Sequence, residues 1–163
     1  MVKNSRGYTL TEMMLVVAII GLVASMSAVL LVNITNFWKQ STARDIIQQD
    51  VRNSVDVINR FVRQAVAATV VIDQVSGQPP FSRITFTTTQ GWTVSFYQTG
   101  NKLYMKDQTT ISTLSANLAY IAFSYPHSDD TSIISVAMTT QALTYKGGRK
   151  ALQLSIQKVR IMN

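Results

Sequence analysis

The chain has 163 residues, 47% of them hydrophobic and 14% charged, with a formal net charge of +7 and no cysteine. That length suits one compact domain with an appendage. The lack of cysteine excludes disulfides and any thiolate nucleophile or metal ligand, while the basic excess admits anionic partners without requiring them.

Charge is distributed unevenly from the start. Residues 13–32 carry none, and every acidic residue except Glu12 lies beyond position 44. Met13–Val32 reads MMLVVAIIGLVASMSAVLLV, 20 residues broken only by Gly21, Ser25 and Ser27. A helix of that length spans roughly 30 Å, the thickness of a bilayer core. A buried helix of a soluble domain keeps a polar face, and this segment has none. Two other readings compete here. A conventional secretory signal has an apolar core of roughly 7–15 residues ending at a small-residue cleavage site; Ala24-Ser25-Met26-Ser27-Ala28 imitates such a site, but the run is longer. A plain single-pass anchor is also compatible. Lys3 and Arg6 precede the span, so the positive-inside rule places the N-terminus in the cytoplasm and sends the rest across.

Glu12 stands at the mouth of this run. A carboxylate in hydrocarbon costs roughly 2.5–3.5 kcal/mol on insertion scales, so it needs a partner or a role. One role is local. Thr9-Leu10-Thr11-Glu12 fits the capping box S/T-x-x-E, with Thr9 as N-cap, Glu12 at the third helical position, and Tyr8 and Met13 as a hydrophobic staple.

Taken together, Ser5-Arg6-Gly7-Tyr8-Thr9-Leu10-Thr11-Glu12 followed by an uncharged apolar helix resembles the class III signal of type IV pilins and pseudopilins. The resemblance implies that prepilin peptidase cuts between Gly7 and Tyr8 and methylates the new amine of Tyr8. It implies that Glu12 meets the N-terminal amine of a neighbouring subunit during assembly. A buried carboxylate and a free ammonium offset each other's cost, and a carboxylate has two oxygens, so capping and assembly roles are compatible. There are departures from the family pattern. Tyr8 replaces the commoner Phe, and Thr11 replaces an aliphatic residue. Val29 stands where a mid-helix proline is frequent, which predicts a less kinked helix.

Beyond the span, Ile47, Val51, Val55, Ile58, Val62 and Ala65 recur at spacings of four and three, one apolar stripe of a helix. Gln48, Arg52, Asp56, Asn59 and Arg63 lie opposite, and Asp56 and Arg60 are spaced for an i,i+4 ion pair. No Pro or Gly interrupts residues 22–76. One helix from about Thr9 to about Ala68 is therefore expected. Phe37 and Trp38 are either interfacial anchors or packing residues.

After Gly77-Gln78-Pro79-Pro80 the period becomes two. Ile84–Thr87 alternates, and 92–106 reads as a hairpin turning at Thr99-Gly100-Asn101. Leu118–Tyr125, Ile133–Thr139 and Lys150–Ile161 read as further strands, with polar turns at 126–132 and 145–149. In the last strand Leu152, Leu154 and Ile156 share one parity, and Val159 and Ile161 take the other. A bulge, or the strand leaving the core, near Gln157 is expected to reconcile them.

The expected fold is α+β: a long N-terminal helix, membrane stem plus amphipathic half, packed on a mainly antiparallel sheet of five or six strands, the lollipop of a pilin. Its parts are a leader at 1–7, the transmembrane or filament-core helix at 8–32, the amphipathic continuation at 33–75 and the β-rich head at 76–163. The scarcity of helix after residue 75 resembles W-type minor pilins or J-type pseudopilins of type II secretion.

Chemistry for catalysis is thin. His127 is the single histidine, in the turn Pro126-His127-Ser128-Asp129-Asp130. Asp and Ser favour turns for backbone reasons, and two carboxylates fall short of the roughly 6–8 oxygens of a calcium site. No nucleotide, hydrolase or zinc motif is present. Gly147-Gly148 before Arg149-Lys150 reads as a basic hairpin turn rather than a phosphate cradle. Lys146, Arg149, Lys150, Lys158 and Arg160 read as a positively guarded strand edge, with weak DNA contact as a minor alternative.

No enzyme activity, cofactor or metal is expected. The expected function is that of a minor pilin or pseudopilin, inserted in the bacterial inner membrane with its leader cytoplasmic and its head outside. Expected partners are other pilin or pseudopilin subunits, prepilin peptidase and the inner-membrane assembly machinery. With the leader removed, the charge becomes 7 − 2 = +5, through loss of Lys3 and Arg6. The alternative is a membrane-anchored binding protein outside any filament.

Overall fold

The computed structural model describes residues 7–144 and 150–162. Lys3 and Arg6 of the leader, and the basic turn with Lys146 and Arg149, lie outside the described residues. A long helix, α1 (Leu10–Val62), is followed by a short 3-10 turn (Ala67–Thr69). Eight strands follow: β1 (Val71–Asp73), β2 (Arg83–Thr87), β3 (Thr93–Thr99), β4 (Lys102–Asp107), β5 (Thr110–Ser115), β6 (Leu118–Ser124), β7 (Ile133–Ala142) and β8 (Ala151–Arg160). One long N-terminal helix with antiparallel sheets is the α+β, pilin-like architecture. The chain divides into two compact units, one ending at Lys39 and the other beginning at Gln40.

Two differences from expectation concern the sheet. There are eight strands rather than five or six, and they form two sheets, β1-β2-β3-β4-β5 and β6-β7-β8, every pair antiparallel. β1 is too short to show alternation. β5 hides its period because the β4–β5 register shifts between Leu103 and Tyr104, leaving Leu114 as the extra residue. Gly100, at φ +60°, takes the first turn position between β3 and β4. A positive φ there, and not at Asn101, is the II′ pattern that suits strand twist.

The helical stripe is buried as its spacing requires, with Ile47, Val51, Val55, Ile58 and Val62 each at most 5% exposed; the helix stops at Val62 rather than near Ala68, and Ala65, also buried, instead bridges to Thr88. Val51, Val55, Ile58 and Val62 pack with Ile84, Phe86, Val94 and Phe96 of the first sheet and with Ile121, Phe123, Val136 and Met138 of the second. Phe96 is the aromatic hub, its ring centroid 6.2 Å from those of both Phe61 and Phe86. The Asp56–Arg60 ion pair does not form. Arg60 instead lies over the Phe61 ring, 5.4 Å from its centroid, a cation–π contact that keeps the guanidinium at the surface. The ion pair found among the described residues joins Arg83 to Asp73 through two parallel hydrogen bonds.

The sheets are tied together along β6. Leu118 N–H donates to Asn101 O and Phe123 N–H to Phe81 O, both at 2.9 Å. Gln98, only 3% exposed, accepts Ile121 N–H at 3.2 Å through Oε1 and donates to Gly100 O at 2.8 Å. Buried amides persist when both ends are satisfied, as here. On the helix, Asp50 Oδ2 accepts from Asn117 Nδ2 at 2.8 Å and from Ser115 Oγ at 3.3 Å, fixing the β5–β6 connection.

The last strand overturns an expectation. No bulge interrupts β8: the β7 register runs from Ile133↔Arg160 to Ala142↔Ala151 without a shift. Odd positions face inward throughout, with Ala151, Val159 and Ile161 buried. Leu152, Leu154 and Ile156 face outward, 66%, 60% and 62% exposed. With one register throughout, a single parity has to serve both ends: Ala151 packs with Ala43 and Ile47 of α1 and with Ala142, and Val159 and Ile161 join the main core. Gln157 shares that parity but is exposed, and its side chain accepts a 2.5 Å hydrogen bond from Asn59.

Candidate functional site

The N-terminal segment is built around Thr9. Helix α1 begins at Leu10, so Thr9 is the N-cap and Glu12 is the third helical residue. Glu12 N–H donates to Thr9 Oγ1 at 3.3 Å, and Thr9 N–H donates back to Glu12 Oε2 at 2.8 Å. This reciprocal pair is the capping box read from the sequence, and it satisfies two helix-end donors. The Thr9 hydroxyl also reaches Glu12 Oε2, at 3.0 Å. Both bonds to the carboxylate use Oε2; no hydrogen bond among the described residues reaches Oε1. The staple is not closed, since Tyr8 is 85% and Met13 52% exposed. Gly7 is open as well, and a Cβ placed on it meets nothing within 4 Å. Nothing among the described residues therefore requires glycine at position 7.

Downstream, the apolar residues have no cover. From Gly7 to Lys39 every residue is exposed except Asn36, which is intermediate. The most apolar window has a mean hydropathy of 2.8 and none of it is buried. The three hydroxyls along this stretch are satisfied within the helix: Ser25 donates to Leu22 O at 2.7 Å, Ser27 to Val23 O at 3.0 Å and Thr35 to Leu31 O at 2.7 Å. Hydroxyls returned to the backbone in this way impose little penalty in hydrocarbon. The helix passes unbroken through Val29, as the missing proline predicts. Phe37 and Trp38 are 71% and 72% exposed, so neither packs within the chain. By length and composition this helix can serve as a single-pass membrane anchor.

The turn at 126–132 has a different character. Asp130 Oδ1 accepts Ser132 N–H at 2.8 Å and Ser132 Oγ at 2.5 Å. These bonds hold its carboxyl below the usual carboxylate range, with lesser help from the charges of Arg160 and His127. Oδ1 of Asp130 thus closes the turn. Among the described residues no three acidic or histidine side chains are placed to hold a metal ion.

Residues 2–28 match the family model of the prokaryotic N-terminal methylation motif. The match covers Gly7, Tyr8, Glu12 and most of the apolar run, and it is consistent with a type IV pilin-like protein. A motif of this kind implies in general a prepilin peptidase and other pilin subunits as partners. No curated protein and no solved structure matches the chain.

Proposed function

We propose that this protein is a minor pilin or pseudopilin, a structural subunit built into a type IV pilus or secretion pseudopilus, where it primes assembly or sits at the tip. The leader stays cytoplasmic and the head crosses the inner membrane. Prepilin peptidase cuts between Gly7 and Tyr8, the Tyr8 amine is methylated, and the helix beginning at Leu10 joins those of other subunits.

One observation carries this reading: the methylation motif leads into a helix whose apolar residues are exposed on every side, with a single carboxylate at its mouth. Such a surface needs lipid first and neighbouring helices afterwards, because both are apolar. Glu12 suits the exchange. Its Oε2 is held by Thr9, and the second oxygen is available for a neighbour's ammonium. An intersubunit pair of that kind offsets the cost of a charge in hydrocarbon. Gly7 supports the reading from the opposite direction: with no steric demand on it from the fold, a requirement for glycine there would belong to the enzyme that cuts.

The test uses the absence of cysteine. Single cysteines at Val17 and Val29, oxidised in cells expressing the assembly machinery, should form disulfides with cysteines at matching stem positions of pilin-like subunits. A stem that never cross-links to another pilin-like stem, while remaining in the membrane, would reduce the protein to a single-pass anchor carrying a binding head.

A further inference from the structure

The two edges of the β6-β7-β8 sheet are treated differently. The β6 edge is closed by hydrogen bonds to Asn101, Phe81 and Gln98. Along β8, among the described residues, the hydrogen bonds beyond the β7 ladder are the side-chain contact of Gln157 and, just past the strand, those of Ile161 and Met162. Nothing described pairs with the free backbone edge of Ala151–Arg160. Natural edges are blunted by proline, bulges or charged side chains, and here Lys158 and Arg160 guard only the last part of β8. From Ala151 to Gln157 there is no proline and no charge, and the register has no bulge. The outward side chains of this edge are Leu152, Leu154 and Ile156, followed by Lys158 and Arg160, with Lys150 exposed at the other end.

We infer that the free edge of β8 is a docking strand for an extended segment of a partner protein, apolar at alternate positions in its middle and acidic at its ends. Addition of a strand supplies the missing backbone partners, and the alternate apolar side chains supply the fit. The charge pattern selects the partner. No acidic residue occurs from Lys150 to Arg160, so cations at both ends of an apolar centre call for carboxylates opposite. The same pattern disfavours a second copy: antiparallel self-pairing centred on Leu154 would set Lys150 against Lys158. A lipid surface fits the apolar residues and the cations, but hydrocarbon leaves the N–H and C=O groups of the edge unpaired. This inference concerns the head and stands whether or not the stem enters a filament.

The test uses the detergent-solubilised full chain and labelled peptides alternating valine and threonine, capped at both ends by glutamate or by lysine. Fluorescence anisotropy should show the glutamate peptide binding at least about tenfold more tightly, a difference of ~1.4 kcal/mol. Backbone N-methylation at every second peptide residue should abolish binding in one parity and spare it in the other, the mark of strand pairing. Lys158→Glu with Arg160→Glu should weaken the glutamate peptide and strengthen the lysine peptide; if that variant does not fold, the wild-type comparisons decide alone. Equal binding of the two peptides, or no binding, overturns the inference. So does indifference to N-methylation in both parities. Self-association of the chain lost in Leu154→Lys would assign the edge to a second copy, and displacement of the peptide by added phosphatidylglycerol would assign it to lipid; either result also overturns it.

Discussion

The two halves of α1 share a backbone geometry and differ in what covers them. From Leu10 to Lys39 the apolar side chains are exposed, whereas from Gln40 onward a single stripe is buried beneath two sheets. The second half is stabilised by its own chain, as an amphipathic helix in water is. The first half has no internal core among the described residues, which suits a single-pass membrane anchor. A helix that is apolar all round is thus a statement about surroundings, and a striped helix is a statement about the fold.

That contrast can be broken most forcefully in the head. Phe96→Ala should cost about 3–5 kcal/mol, because it removes a fully buried ring at the centre of the aromatic cluster. Denaturant unfolding of the detergent-solubilised chain, read by near-UV circular dichroism of the head, would show it. Leu22→Ala, on the exposed half, should leave that transition where it is. A matching loss in both variants would mean that the two halves unfold as one.

Glu12→Gln separates the two roles of the carboxylate. It keeps a hydrogen-bond acceptor for Thr9 but removes the charge, so helix content should hold while co-assembly with pilin-like subunits falls sharply. Thr9→Ala should do the reverse, costing about 1 kcal/mol at the helix start and sparing assembly. Amide exchange over the first helical turn and recovery in sheared filaments would check both. Equal assembly of the Glu12→Gln variant and the native chain would leave the residue with its cap alone.

A smaller effect concerns the Arg83–Asp73 pair at the edge of the first sheet. The Arg83 hydrogen bonds hold the Asp73 carboxyl below its ordinary value. A depressed carboxylate stabilises the fold above its unfolded pKa, near 3.9, and the contribution is lost as pH falls through the lower folded value. Both side chains are more than a third exposed, at 37% and 39%, so solvent screening reduces the pair to at most about 1 kcal/mol. Arg83→Ala should therefore lose that amount at neutral pH and nothing at pH values where Asp73 is protonated in both states. A loss independent of pH would place the role of Arg83 in packing.

Much of this molecule is readable in its sequence where periodicity meets one dominant surface. The stripe from Ile47 to Val62, the capping box at Thr9 and Glu12 and the uncharged span each follow from spacing and are present in the fold. What escaped was set by neighbours rather than by period. β5 lost its alternation to a bulge, and β1 was too short to have one. In the strand ending at Arg160 the face of Val159 and Ile161 is buried as expected, but without a bulge or a departure near Gln157 the same parity runs back to Ala151, which leaves Leu152, Leu154 and Ile156 outward. The methylation motif at residues 2–28, which spans Gly7, Tyr8 and Glu12, was legible for another reason: it is a local run of residues that hardly depends on tertiary packing.

The most direct measurement is the intact mass of the protein purified from membranes of cells that contain prepilin peptidase, with the N-terminal peptide fragmented. The expected species begins at Tyr8 and carries one methyl group on its amine, and Gly7→Leu should keep the leader while the head folds normally. A native protein still beginning at Met1, or one cut after the small residues near Ala28 so that the apolar helix is gone, would contradict the assignment.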